Sequence, residues 1–124
     1  MKTTSEIQRR TTLQAFIGNE KTLRSYTASY DAGSAVFSSW KLGNLYLTEQ
    51  RLFFVQVQRV LFQIPLDQIQ RIDLVKRRWI LGKRIFQLYI LWNNGRVRNA
   101  FIAVKDPQSW KADIERLGTR EAFD

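Results

Sequence analysis

Residues 76–84, KRRWILGKR, concentrate the chemistry this chain can do. Lys76, Arg77 and Arg78 stand on one side of Trp79, Ile80 and Leu81, and Lys83 and Arg84 on the other, with Gly82 marking a turn between two strands. An apolar tip collared by cations suits an anionic bilayer. Trp79 would sit at headgroup level with Leu81 entering the interface, and each base near the surface contributes about 1 kcal/mol. The same residues also permit a plainer arrangement, in which Trp79, Ile80 and Leu81 fold under the sheet as core and only the bases face water. The sequence leaves both open.

The surrounding charge supports an anionic partner. Residues 71–98 carry Arg71, Lys76, Arg77, Arg78, Lys83, Arg84, Arg96 and Arg98 against Asp73 alone, a local net charge of +7 within a chain total of +9. Such a patch fits a membrane surface, a nucleic acid or an acidic protein, or simply keeps the chain soluble.

Catalysis has few residues to draw on. The chain has no histidine and no cysteine, which removes the commonest general base, the thiolate nucleophile and the usual transition-metal ligands. The 11 acids are scattered, and neither a serine-nucleophile motif nor a phosphate-cradling glycine loop occurs. The expectation is a binding protein with no catalytic residues, no metal and no cofactor.

The elements that position the basic stretch follow from periodicity. With 124 residues and 44% hydrophobic composition, the chain fits one domain with a real core. From residue 23 to 104 apolar residues recur with period two between short turn signals, the pattern of antiparallel strands. LRSYTASY (23–30) is a first strand. In GNLYLTEQRLFFVQ (43–56), a two-residue loop at Glu49 and Gln50 pairs Leu47 with Leu52 and Leu45 with Phe54. FQIPL (62–66) is a fourth strand, and Ile69, Ile72 and Leu74 lead into a fifth. Asn94-Gly95 predicts a hairpin with Trp92 facing Val97 and Leu88 facing Phe101, pointing Phe86, Leu88, Ile90 and Trp92 into the core. A helix over 107–117 follows, with Asp106 as N-cap, Pro107 at its first position, a stripe of Trp110, Ile114 and Leu117, and Gly118 as the stop.

About seven antiparallel strands followed by one helix resembles the pleckstrin-homology-like superfamily. Gly43, Leu45, Leu47, Thr48, Arg51, Leu52, Phe54, Ile64, Pro65, Leu66 and Ile69 are similar to the G-x-L-x-L-T-x-x-R-L-x-F and I-P-L-x-x-I pattern of its GRAM branch. SYDAGSAVFSSWKLGNLYLT resembles the GLUE branch. The resemblance implies a mainly β fold, a bent antiparallel sandwich or partly open barrel of about seven strands capped by a C-terminal helix. It spans residues 20–118, between an N-terminal segment (1–19) with the pattern of a short helix and a tail (119–124). It also implies a non-enzymatic module for lipids or proteins, ubiquitin among them. The basic run that lipid-binding pleckstrin domains place after their first strand is missing, since Asp31 to Lys41 holds Lys41 alone as a base.

The reading that results is docking to an anionic membrane through Lys76, Arg77, Arg78, Trp79, Leu81, Lys83 and Arg84, in a cytoplasmic protein able to associate peripherally with membranes. A protein partner or homodimer is the second reading. It uses Tyr46, Phe53, Val55 and Val57, an apolar strip on the outer face of the hairpin that something must cover. The N-terminal segment, with Leu13, Phe16 and Ile17, is the expected cover. Nucleic acid ranks last: Trp79, Phe86, Tyr89 and Trp92 interleave with bases, but Phe86 and Trp92 fall on the core face.

Overall fold

A computed structural model of the chain describes Gly18 and residues 20–32, 40–79 and 82–123, with side chains in the final helix as far as Gly118. The strands are β1 Thr22–Asp31, β2 Lys41–Thr48, β3 Arg51–Gln56, β4 Arg59–Pro65, β5 Ile69–Arg78, β6 Arg84–Asn93 and β7 Val97–Val104, and helix α1 spans Pro107–Phe123. They make one seven-stranded antiparallel sheet in the order β4-β3-β2-β1-β7-β6-β5. The edge strands β4 and β5 are joined by a single 3₁₀ turn, Leu66–Gln68. Every strand contributes to one core, including Ala28, Leu45, Phe54, Ile64, Leu88 and Ile102, with Leu74 packed against it from β5. Trp110, Ile114 and Leu117 of α1 complete that core. A sheet whose strands all feed one cluster has to bend around it, and the helix closes the open side. This is the mainly β, helix-capped architecture that the periodicity predicts.

The β2–β3 hairpin has the expected register, Leu47 opposite Leu52, Tyr46 opposite Phe53 and Leu45 opposite Phe54. Thr48 fixes the turn: its Oγ1 accepts the backbone N–H groups of Gln50 at 3.2 Å and Arg51 at 3.1 Å. Gly43 is required by close approach. A Cβ there would stand 2.4 Å from the Val55 carbonyl oxygen and 2.9 Å from the Phe54 ring. Gly43→Ala should therefore push β2 off β3 and cost about 1–3 kcal/mol in a chemical denaturation midpoint; an unchanged midpoint would mean that β2 moves freely there.

Five expectations need correction, the last of them at Val57. Trp92 faces Arg98, Leu88 faces Ile102 and Asn93 faces Val97, so the β6–β7 loop has three residues and the register lies one residue from that predicted. The cause is Asn93, whose Oδ1 accepts the Gly95 N–H at 2.9 Å and draws an extra residue into the turn. Phe86 shares the parity of Leu88, Ile90 and Trp92 but is 55% exposed rather than core. Helix α1 continues through Gly118 to Phe123, so residues 119–123 are not a tail. A Cβ at Gly118 would meet the Leu66 carbonyl at 3.9 Å, an ordinary contact, so the helix does not need a glycine there. Finally, Asp106 is no side-chain cap of the usual kind. It has φ 54°, and it is its carbonyl oxygen that accepts N–H bonds from Ser109 and Trp110.

Val57, placed by sequence on the outer strip, sits instead in the β3–β4 turn with φ 55° and 63% of its surface exposed. A β-branched residue is strained in the left-handed region. Val57→Gly or Val57→Asn should raise stability by about 1 kcal/mol in thermal or chemical unfolding, and a fall would show that the turn is not left-handed. Tyr30, packed between Phe54 and Phe62, has its phenol raised above the usual tyrosine value, chiefly by burial and against the opposing charge of Arg98. Because the folded phenol holds its proton more tightly than the unfolded one, the stability it contributes is complete below the unfolded tyrosine pKa and drains away above about pH 10. Tyr30→Phe should flatten that alkaline decline.

Candidate functional site

The geometry of the basic stretch follows from where strand pairing stops. β5 and β6 pair along their full length, ending with Arg78 opposite Arg84. β7 leaves β6 at Leu88–Ile102 and leaves β1 at Ala28–Val104. The end of the β5–β6 hairpin therefore runs on past β7 into solvent, and the first half of β1 runs on beside β2 alone.

Along the projecting hairpin, side chains alternate between faces. Lys76, Arg78, Arg84 and Phe86 share one face, with Lys76 directly opposite Phe86 and its Nζ 5.7 Å from the ring centroid. Arg78 directly opposes Arg84, and like charges in that position repel. Lys76, Arg78, Lys83 and Arg84 are all exposed. Among the described residues none of the four forms an ion pair. A surface that crowds cations without countercharges favours an anion.

Arg77, on the opposite face, has a different job. Its Nη2 donates to Asp31 Oδ2 at 3.1 Å and its Nη1 to Gln87 Oε1 at 3.3 Å. The guanidinium lies 3.9 Å from the Phe101 ring centroid and 5.5 Å from that of Trp40. Asp31 and Gln87 are buried, so Arg77 is committed to holding the hairpin against β1 and β7. The sequence places Arg77 among the ligand-facing bases, and in the structure it stands on the opposite face from Lys76, Arg78 and Arg84.

At the tip, the Trp79 N–H donates to the Lys83 carbonyl at 2.7 Å, and the Gly82 N–H, at φ 76°, donates to the Trp79 carbonyl at 3.0 Å. Trp79 is half-buried rather than fully exposed or fully core. Ile80 and Leu81 lie outside the described residues. Beside the tip the diverging strand ends enclose a cleft of about 880 Å³, whose walls include Tyr26, Leu42, Trp79, Phe86, Val104 and Pro107. Sequence reasoning missed this cleft. Tyr26, Leu42 and Phe86, exposed at 48%, 60% and 55%, come from three strands that line one cleft only in the folded sheet.

The second predicted surface is broken up. Phe53 and Val55 are buried within the single chain without belonging to the core cluster, and Tyr46 stacks on Phe53 with centroids 5.1 Å apart. Of the four residues only Tyr46 and Val57 keep accessible surface, and Val57 is at the turn. The N-terminal residues expected to cover this strip lie outside the described residues. Nearby, Glu20 Oε2 accepts from Arg51 Nε at 2.8 Å, both side chains less than one-fifth exposed. For nucleic acid, Trp92 is buried in the core and so offers no stacking platform.

The described residues hold no group of three side chains that could bind a metal ion and no helix long and apolar enough to cross a membrane. No protein-family model matches the chain, and no curated protein matches it. Solved structures do. The chain is similar to the Vps36 N-terminal PH domain, at 14% identity over 86% of this chain and 84% of that one, with a TM-score of 0.60. The fold is pleckstrin-homology-like. A further pleckstrin-homology-like match is the Slm1-PH domain in complex with inositol-4-phosphate, at 13% identity, 80% and 95% coverage and a TM-score of 0.50. The C-terminal domain of an unknown protein from Leishmania infantum matches at 20% identity, 90% and 96% coverage and a TM-score of 0.62. At these identities the likeness extends to the pleckstrin-homology-like fold and not to any particular site.

Proposed function

We propose that this pleckstrin-homology-like domain is a non-enzymatic module that docks on anionic membrane lipid through the projecting β5–β6 hairpin. The observation that carries the reading is the crowding of Lys76, Arg78, Lys83 and Arg84 at one exposed hairpin end, with Arg78 and Arg84 face to face. That a pleckstrin-homology neighbour holds an inositol phosphate agrees with it. Trp79, half-buried at the tip, anchors the hairpin at headgroup depth, and Leu81 is assigned to enter beside it. Arg77 serves the hairpin's stiffness and not the lipid. The protein would then be peripheral, held mainly by charge.

Sedimentation with phosphatidylglycerol-containing vesicles tests this. Binding should appear at low salt, fade as salt rises, and be absent on pure phosphatidylcholine. Each of Lys76→Gln, Arg78→Gln, Lys83→Gln and Arg84→Gln should weaken it about fivefold, the equivalent of about 1 kcal/mol. No sedimentation at low salt, or binding indifferent to all four changes, would end the reading. Stronger capture by an RNA or DNA oligonucleotide than by vesicles would transfer the hairpin to nucleic acid. With Phe53 and Val55 buried, no observation favours the hairpin strip as a partner surface.

A further inference from the structure

Resting on the docking reading, we infer that the cleft beside the hairpin receives one acyl chain of an anionic lipid whose headgroup meets the hairpin's cations. At about 880 Å³ the cleft lies in the size range of small-molecule sites, and like them it is mostly apolar with a few polar groups at its margin. Tyr26 and Phe86 expose large apolar surfaces on the core side of its walls, and Leu42 exposes another on the opposite face, which costs free energy until something apolar covers them. A methylene chain needs no hydrogen bonds and suits such walls.

The polar margin selects the sign of the headgroup. Lys105 lines the cleft, opposed by the carboxylate of Asp106. Lys76 lies over the Phe86 ring, and Arg78 and Arg84 stand on the same hairpin face as Phe86. A lipid with its chain along Phe86 and Tyr26, which share that face, therefore brings its phosphate to three cations. Trp79 adds an independent sign. It lines the cleft, and its indole Nε1 is buried with no hydrogen-bond partner among the described residues. An indole N–H left unpaired is costly, and an ester carbonyl or phosphate oxygen at the cleft mouth is the acceptor it lacks. The cleft thus deepens the docking surface from charge attraction to capture of a single lipid.

Titration calorimetry of the full chain with lysophosphatidylglycerols of increasing chain length, each below its micellar concentration, reads this directly. Binding should saturate at one lipid per chain and strengthen about fourfold per added methylene until the cleft is full. Lysophosphatidylcholine of the same length should bind more weakly. A lysophosphatidylglycerol brominated along its chain should quench part of the tryptophan fluorescence, and Trp79→Phe should remove that part. Tyr26→Gln with Leu42→Gln, both at exposed positions, should abolish lysolipid binding while phosphatidylglycerol vesicles still sediment the protein. Vesicle binding without saturable lysolipid binding would overturn the cleft assignment and leave docking intact. Lysolipid binding with no vesicle binding would instead overturn the docking reading. Affinity independent of chain length, or a dimer by light scattering that the Tyr26/Leu42 variant dissolves, would assign the cleft to something other than an acyl chain.

Discussion

Replacing Trp110 by alanine should lower stability by about 3–5 kcal/mol, the range for removing a large buried aromatic without collapse of the space it leaves. Trp110 is 1% exposed and stands in the one core that all seven strands share. Its ring also carries the Arg24 guanidinium, 4.4 Å from the centroid, and Arg24 in turn pairs with Asp113 one turn along α1 at 3.0 Å. The substitution removes the pin that fixes the helix to the sheet and the platform that orders this ion pair. Urea unfolding followed by circular dichroism measures it. A midpoint shift equivalent to less than about 1 kcal/mol would mean that the helix is not held through Trp110.

Arg77→Met should cost about 3 kcal/mol, and its effect should be on folding rather than on lipid affinity. Asp31 has only 2% of its side chain accessible, and removing the partner of a buried carboxylate leaves a charge that neither water nor protein fully compensates. Asp31 has a further interaction besides that with Arg77, which places the expectation at the low end of the 3–5 kcal/mol typical of broken buried pairs. The double variant Arg77→Met with Asp31→Leu should recover much of the loss, since an apolar pair can replace a buried ionic one. At a temperature where Arg77→Met remains folded, its vesicle binding should match the parent chain. If it instead loses vesicle binding while its unfolding midpoint is unchanged, Arg77 belongs with the lipid-facing bases.

Much of this fold could be read in the sequence because its signals are local. The β2–β3 register follows from strict alternation on both sides of Glu49-Gln50, and the helix from a single apolar stripe. The β6–β7 register was missed by one residue because the choice between a two- and a three-residue loop rests on one side-chain hydrogen bond from the Gly95 N–H to Asn93. Phe86 shows a different limit. Alternation assigned its face correctly, but not whether that face is covered, and at residue 86 β7 no longer pairs with β6. The candidate site divides the same way. The cationic run is visible as a string of letters, whereas the separation of Arg77 from its neighbours depends on Asp31, 46 residues away. The cleft depends on three strand ends that meet only in the folded sheet.

The strand order also bears on how fast the chain folds. Each neighbour in the sheet is a neighbour in sequence except at β1–β7, where Ala28 meets Val104. The β2–β3–β4 and β5–β6–β7 meanders can assemble from short loops, but sealing β1 against β7 closes a loop of most of the domain and must overcome its entropy. Hydrophobic contacts across that seam should accordingly carry low φ-values, forming after the rate-limiting barrier, with higher values in the hairpins. The cleft lies where this late seam ends. Local opening of β1 from β7 would then widen the cleft without unfolding either meander, and amide exchange at residues 28–31 should be faster than within the β2–β3 hairpin.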